Sequence, residues 1–177
     1  MMKIEVLEID EFDDYSVDVE YVTKAYQAIK IKKKKQSINI ELKRKRMKRL
    51  NKKYKVKLFE DYIEQPIVFG MYDKKHLVAF IEGEYIDWNN TFRIWELYVH
   101  PKYRKKGIGS KMFKHMERHV LDIHARAITL EVQSCNDPAL CFYEKMGMHF
   151  IGLNTLGYSN YDVQNKEVKL EYGKRMI

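Results

Sequence analysis

Two cysteines, Cys135 and Cys141, are the only thiols in 177 residues. They are too few for a disulfide framework, and nothing around them has the spacing of a Cys-based zinc site. They read as two reduced thiols. No apolar run approaches the roughly eighteen residues that cross a bilayer. Glu5, Glu8 and Asp10 come too early for a secretory leader. A cytoplasmic protein is expected. No internal repeat is visible, and the only biased segment is one Lys/Arg run. What remains has the size of one domain, residues 1–177, and its 45% hydrophobic content can build a core.

Charge is unevenly placed. Residues 30–57 hold fifteen Lys or Arg and one acid, Glu41, a net +14. The whole chain carries +8, so the remainder carries −6. That remainder does not repel a small cation. The basic run has two readings. It is a solvated segment beside a substrate entrance, or a surface for nucleic acid or another acidic partner. Only Tyr54 and Phe59 offer aromatic stacking nearby, which weakens the case for specific single-strand recognition.

Hydrophobic periodicity places the elements. Ile4 to Ile9 alternates like a strand, and 10–14 reads as an acidic loop. Ile29, Ile31, Ile38, Ile40 and Leu42 alternate around Lys33 to Ser37 and suggest a hairpin. A helix over Glu41 to Leu50 competes, because that stretch is rich in helix formers. Phe59 to Glu64 reads as a short helix ended before Pro66. Three strands follow at 67–72, 77–86 and 93–99. Ile108, Met112, Phe113, Met116, Val120 and Ile123 recur at helical spacing. Strands at 127–133, 149–153 and 168–172 complete the order. His115 and His119 lie four apart on the helix, but His-Glu-x-x-His is absent. They read as part of a solvated face, and no metal is expected.

The most specific stretch is Arg104-Lys105-Lys106-Gly107-Ile108-Gly109-Ser110. It follows the apolar strand Ile94 to Val99 and opens the helix. The first amides of a helix lack intrahelical partners, and the helix dipole is positive there. Glycine lets a phosphate approach those amides, and three cations add charge. A phosphorylated ligand is expected at this turn. There is no Gly-Lys-Ser/Thr ending, which excludes a P-loop. No third glycine follows at Ser110 to Met112, which excludes the dinucleotide fingerprint.

Arg-x-x-Gly-x-Gly after such a strand resembles motif A of the GNAT superfamily of N-acetyltransferases. About thirty residues on, Asn136, Ala139, Tyr143 and Gly147 resemble its second CoA-binding motif. The resemblance covers roughly residues 66–175. Trp88-Asn89-Asn90, and Tyr158-Ser159-Asn160 followed by a terminal strand holding Glu167 and Val168, further resemble the streptothricin acetyltransferases. That branch usually carries two acids where this chain has Trp95-Glu96.

The resemblance implies an α+β fold with a mostly antiparallel mixed sheet and one splayed central strand pair. It implies acetyl transfer from acetyl-CoA, as cosubstrate, to a primary amine. Small cationic acceptors of the streptothricin or polyamine kind are expected; a protein amine is the enzyme rival. Arg104, Lys105, Lys106, Gly107, Ile108, Gly109 and Ser110 would cradle the pyrophosphate. Leu97, Tyr98 and Val99 would pair with the pantetheine arm through their backbone, with Asn136 and Ala139 beside it. Tyr143 would serve the departing thiolate. Glu96 would assist deprotonation, and Glu82, Glu84 and Trp88 would bind the acceptor. Plainer readings stand beside several of these. Glu96 has a second reading as a structural carboxylate, and Asn136 reads equally as a turn residue and the other two acids as solvated strand positions. A homodimer is compatible with the sequence.

Overall fold

A computed structural model describes residues 2–12 and 14–176. The chain runs β1 (Lys3–Val6), α1 (Ile9–Phe12), β2 (Ser16–Lys34), β3 (Ser37–Lys57), β4 (Pro66–Asp73), β5 (His76–Ile86) and β6 (Thr91–Val99). It continues through α2 (Ile108–Asp122), β7 (Ala127–Gln133), α3 (Asp137–Lys145), β8 (His149–Asn154), α4 (Asp162–Asn165) and β9 (Lys169–Arg175). The hydrogen-bonded strand order is β1-β4-β5-β6-β7-β9-β8, with β2 and β3 forming a separate two-stranded sheet. β1, β4, β5 and β6 pair antiparallel, and β6 pairs parallel with β7. The expected α+β mixed sheet is therefore present.

Two compact units are formed, one from residues 1–19, 54–130 and 173–177, the other from 20–53 and 131–172. In the first, the two faces of β4–β6 differ in chemistry. One face carries Phe69, Ile81, Phe92 and Ile94 and receives α2. The buried side of α2 is Ile108, Met112, Phe113, Met116 and Val120, as its periodicity predicts. The second face carries Val68, Phe80 and Tyr98, closed over by Leu7, Val56, Leu58 and Phe59. Phe80 and Tyr98 are direct cross-strand partners and stack at 5.2 Å. Glu82, Glu84, Arg93 and Glu96 share this second face, by the period-two alternation and by register.

The second unit holds most of the basic hairpin. Residues 41–50 are strand, so alternation and cross-strand pairing prevail over their helix propensity. Arg44 makes a two-pronged pair with Asp137, its Nε and Nη2 donating at 2.6 and 2.9 Å. Lys52 pairs with Glu167. Residues 30–41 are exposed throughout.

Other expectations are corrected. Residues 59–64 form bends and turns, not a helix. Phe59 is left-handed at φ 56°, which stops a helix there. Ile9 starts α1, so the first strand ends at Val6 and the acidic stretch 10–14 opens inside a short helix; Asp13 lies outside the described residues. His115 and His119 are half-buried instead of solvated, edge-on to Phe69 at 4.6 and 5.6 Å. Burial lowers the pKa of both imidazoles. Among the described residues no helix is long and apolar enough to cross a membrane.

Candidate active site

The site begins with one inserted residue. Glu82 faces Glu96 across the β5–β6 ladder, but the next residue, Gly83, faces Ile94. Trp95 is therefore the extra residue of a β-bulge. A bulge bends its strand, increases twist and re-aims side chains. Gly83 is required at this point: a Cβ would lie 2.4 Å from the Phe92 ring and 2.6 Å from the Arg93 carbonyl oxygen. The parallel ladder from β6 to β7 pairs Thr91–Ile94 with Ala127–Leu130. Leu97, Tyr98 and Val99 keep β5 on one edge, paired with Ile81, Phe80 and Ala79.

The basic turn follows directly. Arg104 donates from Nε to the Val99 carbonyl at 2.9 Å, tying the turn to the end of β6. This gives Arg104 an anchoring role beside the expected cradle role. The Tyr103 hydroxyl donates to Asp73 at 2.7 Å, and Lys106 lies 5.4 Å from the Tyr103 ring centre. Lys105 and Gly107 both have positive φ, 60° and 79°. Gly107 is the N-cap of α2 and provides no side-chain cap, and nothing lies within 4 Å of where its Cβ would be. The amides of Ile108, Gly109 and Ser110 thus open a 15-residue helix that has no side-chain cap. That arrangement fits a pyrophosphate.

The acids stand on the second face of β5–β6. Glu82 is 0% exposed and Glu84 7%. Burial pushes the Glu82 carboxyl up to about 7, aided by the charges of Glu60 and Glu84 and opposed by the Phe59 N–H. Glu82 Oε1 accepts that N–H at 2.8 Å, while Oε2 has no hydrogen-bond partner among the described residues. Glu84 accepts from the Glu64 N–H at 3.1 Å and from the Trp95 indole at 2.9 Å. Neither residue is a solvated strand position, and neither presents an open carboxylate to an acceptor. Glu96 is half-buried. Burial and the nearby negative charge of Glu96 push the Tyr54 phenol up to about 12, with Arg104 opposing. Tyr54, Glu96 and Arg104 therefore share one electrostatic neighbourhood. Tyr54 was visible in the sequence only as an aromatic within the basic run.

Trp88 is not brought to this cluster. It is 85% exposed in the turn between β5 and β6, at the opposite end of β6 from the basic turn. Asn89 and Asn90 serve that turn: the Thr91 hydroxyl donates to Asn89 Oδ1 at 2.6 Å, and Asn90 takes a left-handed conformation. In the second unit, Asn136 caps α3, its Oδ1 accepting the Ala139 N–H at 3.3 Å. The turn reading of Asn136 is therefore present. Tyr143 is half-buried in the last turn of α3, 5.3 Å from the Phe142 ring. Around Tyr158-Ser159-Asn160, buried Asp162 accepts from the Tyr158 N–H and the Ser159 hydroxyl at 3.0 and 2.7 Å.

Glu82 has a measurable consequence. Its ordinary pKa of 4.5 describes the unfolded chain, and about 7 the folded one. Below 4.5 both states hold the proton. Between the two values only the folded state does, so stability falls as pH rises. Above 7 the loss is complete, on the order of 3 kcal/mol. Glu82→Gln removes the titration. Urea unfolding should find the variant gaining on the wild type from pH 5 to pH 8. Parallel pH profiles for the two proteins would refute the assignment.

The sequence model of the acetyltransferase (GNAT) family matches residues 36–148, well over half of the chain. The match begins earlier than the resemblance read from the motifs. A streptothricin acetyltransferase of Streptomyces lavendulae is 34% identical over 82 residues, 46% of this chain and 43% of that protein. The match thus spans less than half of that relative's length. A spermine/spermidine N(1)-acetyltransferase of Bacillus subtilis (strain 168) is 28% identical over 106 residues, 56% of this chain and 68% of that protein. A Bacillus anthracis str. Ames protein solved in complex with acetyl coenzyme A aligns over 99% of this chain and 97% of its own. The TM-score is 0.75 and the identity 23%, a likeness of fold.

Proposed function

The chain belongs to the acetyltransferase (GNAT) family, and on that premise we propose that it moves the acetyl group of acetyl-CoA to a primary amine of a small cationic acceptor. The observation that carries this reading is the β-bulge at Trp95 on the strand that leads, through the basic turn, to an uncapped glycine-led helix.

In this reading the Ile108, Gly109 and Ser110 amides hold the pyrophosphate, with Lys105 and Lys106 adding charge. The backbone of Leu97, Tyr98 and Val99 pairs with the pantetheine amides. One of their N–H groups donates to the thioester carbonyl; in other acyl-transfer enzymes such a donor supplies roughly 3 kcal/mol. An alkylammonium, with a pKa of about 10, must lose a proton before it attacks. Glu96 assists that loss, directly or through a water. Tyr143 supplies a hydrogen bond or proton to the departing thiolate. Transfer is direct, in a ternary complex. The named activities of the Streptomyces and Bacillus relatives support streptothricin-like or polyamine acceptors.

Acetyl-CoA should raise the melting temperature, since a ligand of the folded state stabilises by mass action. Gly109→Glu should abolish the shift. An acid in the first helical turn suits the dipole and preserves the helix, but it repels the pyrophosphate. An unchanged wild-type melting temperature at millimolar acetyl-CoA would sink the cofactor assignment. Amine-dependent release of free CoA then tests the transfer. The exposed basic hairpin gives a nucleic-acid-binding reading its one support. Steeply salt-dependent RNA retention without an acetyl-CoA shift would favour it.

A further inference from the structure

Segment 58–65, which links β3 to β4, hangs from two buried carboxylates. Near its start the Phe59 N–H donates to Glu82 Oε1 at 2.8 Å, and near its end the Glu64 N–H donates to Glu84 Oε2 at 3.1 Å. Between these points the chain closes a turn, with the Ile63 N–H on the Glu60 carbonyl at 2.9 Å. Leu58, Phe59 and Ile63 are buried, whereas Tyr62 is 62% exposed. Asp61 is exposed beside it and Glu60 half-buried. The Tyr62 ring meets the Trp95 ring edge-on at 5.4 Å, and the Trp95 indole N–H is held by Glu84 Oε1 at 2.9 Å. The bulge residue and the segment thus share one carboxylate as anchor.

We infer that Glu82 and Glu84 are positioning residues, and that the segment they suspend is the wall which selects the acceptor. This rests on the acetyl-transfer reading. Three of the four carboxylate oxygens already accept a protein N–H, and both side chains are shut from solvent. What the segment presents outward is Asp61, Tyr62, Glu64 and Gln65, with Glu60 half-buried beside them: carboxylates and a phenol face. That set suits a second positive centre on the acceptor, beyond the reacting amine, through charge pairing and cation–π contact. Glu84 sets the height of this wall over Trp95, and Trp95 precedes Glu96 on β6.

The two carboxylates respond differently to the same substitution. In Glu84→Gln the amide has one acceptor oxygen for two donors, so its NH2 faces either the Glu64 N–H or the indole N–H. In Glu82→Gln the amide oxygen keeps the Phe59 N–H, and the NH2 takes the position of the unpartnered oxygen. Hydrogen–deuterium exchange of residues 59–64 in the ligand-free protein should therefore accelerate at least tenfold in Glu84→Gln and stay near wild type in Glu82→Gln. Tyr62→Ala and Asp61→Asn should raise KM for 1,4-diaminobutane about tenfold, leaving KM for butylamine and the acetyl-CoA-induced melting shift unchanged. Equal loosening in both Gln variants, or none in Glu84→Gln, would overturn the suspension. Equal KM increases for diamine and monoamine would overturn the wall. Protection of 59–64 by 1,4-diaminobutane, lost in Tyr62→Ala, reads binding without turnover. A protein that acetylates neither amine therefore fails the transfer reading, while protection still decides this one, its absence counting against the wall.

Discussion

Tyr143→Phe is expected to lower turnover roughly a hundredfold while acetyl-CoA binding stays near the wild-type level. The size is that of losing one acid–base participant. The hydroxyl acts on charge that develops as the thioester breaks, so its loss falls on the catalytic step more than on the bound cosubstrate. The Tyr143 carbonyl accepts from the Met146 and Met148 N–H groups at 3.0 and 3.1 Å, and phenylalanine keeps both. The edge contact with Phe142 also survives. Asn136 and Pro138 still open α3, so the helix that carries residue 143 starts where it did. Single-turnover rates and the acetyl-CoA melting shift should be measured on the same preparation. An unchanged single-turnover rate, with chemistry limiting, would remove Tyr143 from the mechanism. Loss of the melting shift would make it a binding residue instead.

The parts of this fold that were legible in the sequence are those with a local period. β4, β5 and β6 alternate or run apolar between clear turns, and α2 shows its buried stripe in the spacing from Ile108 to Val120. The basic turn was legible because glycine at 107 and the helix start depend on neighbours in sequence. What was not legible depends on partners far along the chain. Residues 59–64 have the composition of a short helix, yet two carboxylates some twenty residues later hold their backbone as a turn. Residues 41–50 are good helix formers, but pairing with β2 makes them strand. The bulge at Trp95 has no signature of its own, since Arg93 to Val99 reads equally well as an uninterrupted strand. Its only trace was Gly83, whose need for an open Cβ position depends on a cross-strand ring.

The same non-local contacts redistribute the acidic residues. Glu82, Glu84 and Glu96 look alike in the sequence, three carboxylates on two adjacent strands. Burial and backbone partners separate them. Glu82 and Glu84 are shut in and hold the segment above them, whereas Glu96 lies half-buried on the bulged stretch and acts electrostatically on Tyr54. Trp95, the bulge residue, has an acid partner of its own. The nearest acid to that indole is Glu84, one strand away and bonded to it.

Glu96→Gln is accordingly expected to have the largest effect on transfer, and an uneven one across acceptors. The substitution keeps the shape and removes the charge and the basicity. With an amine of pKa near 10, kcat/KM should fall by roughly a hundredfold to a thousandfold, because the acceptor arrives with a proton that must leave. An acceptor already neutral at the assay pH carries no such proton and should lose far less. Glu96 lies directly opposite Glu82 across the β5–β6 ladder, at the register position next to the bulge residue Trp95. A purely structural carboxylate at that position would produce a different pattern. Both acceptors would then suffer alike, and the melting temperature would fall through lost pairing. The deciding measurement is kcat/KM against pH for two amines of well-separated pKa, with melting curves for the same variant. Equal losses with a lower melting temperature would assign Glu96 to the scaffold. Unequal losses at an unchanged melting temperature would assign it to the proton that must leave the amine.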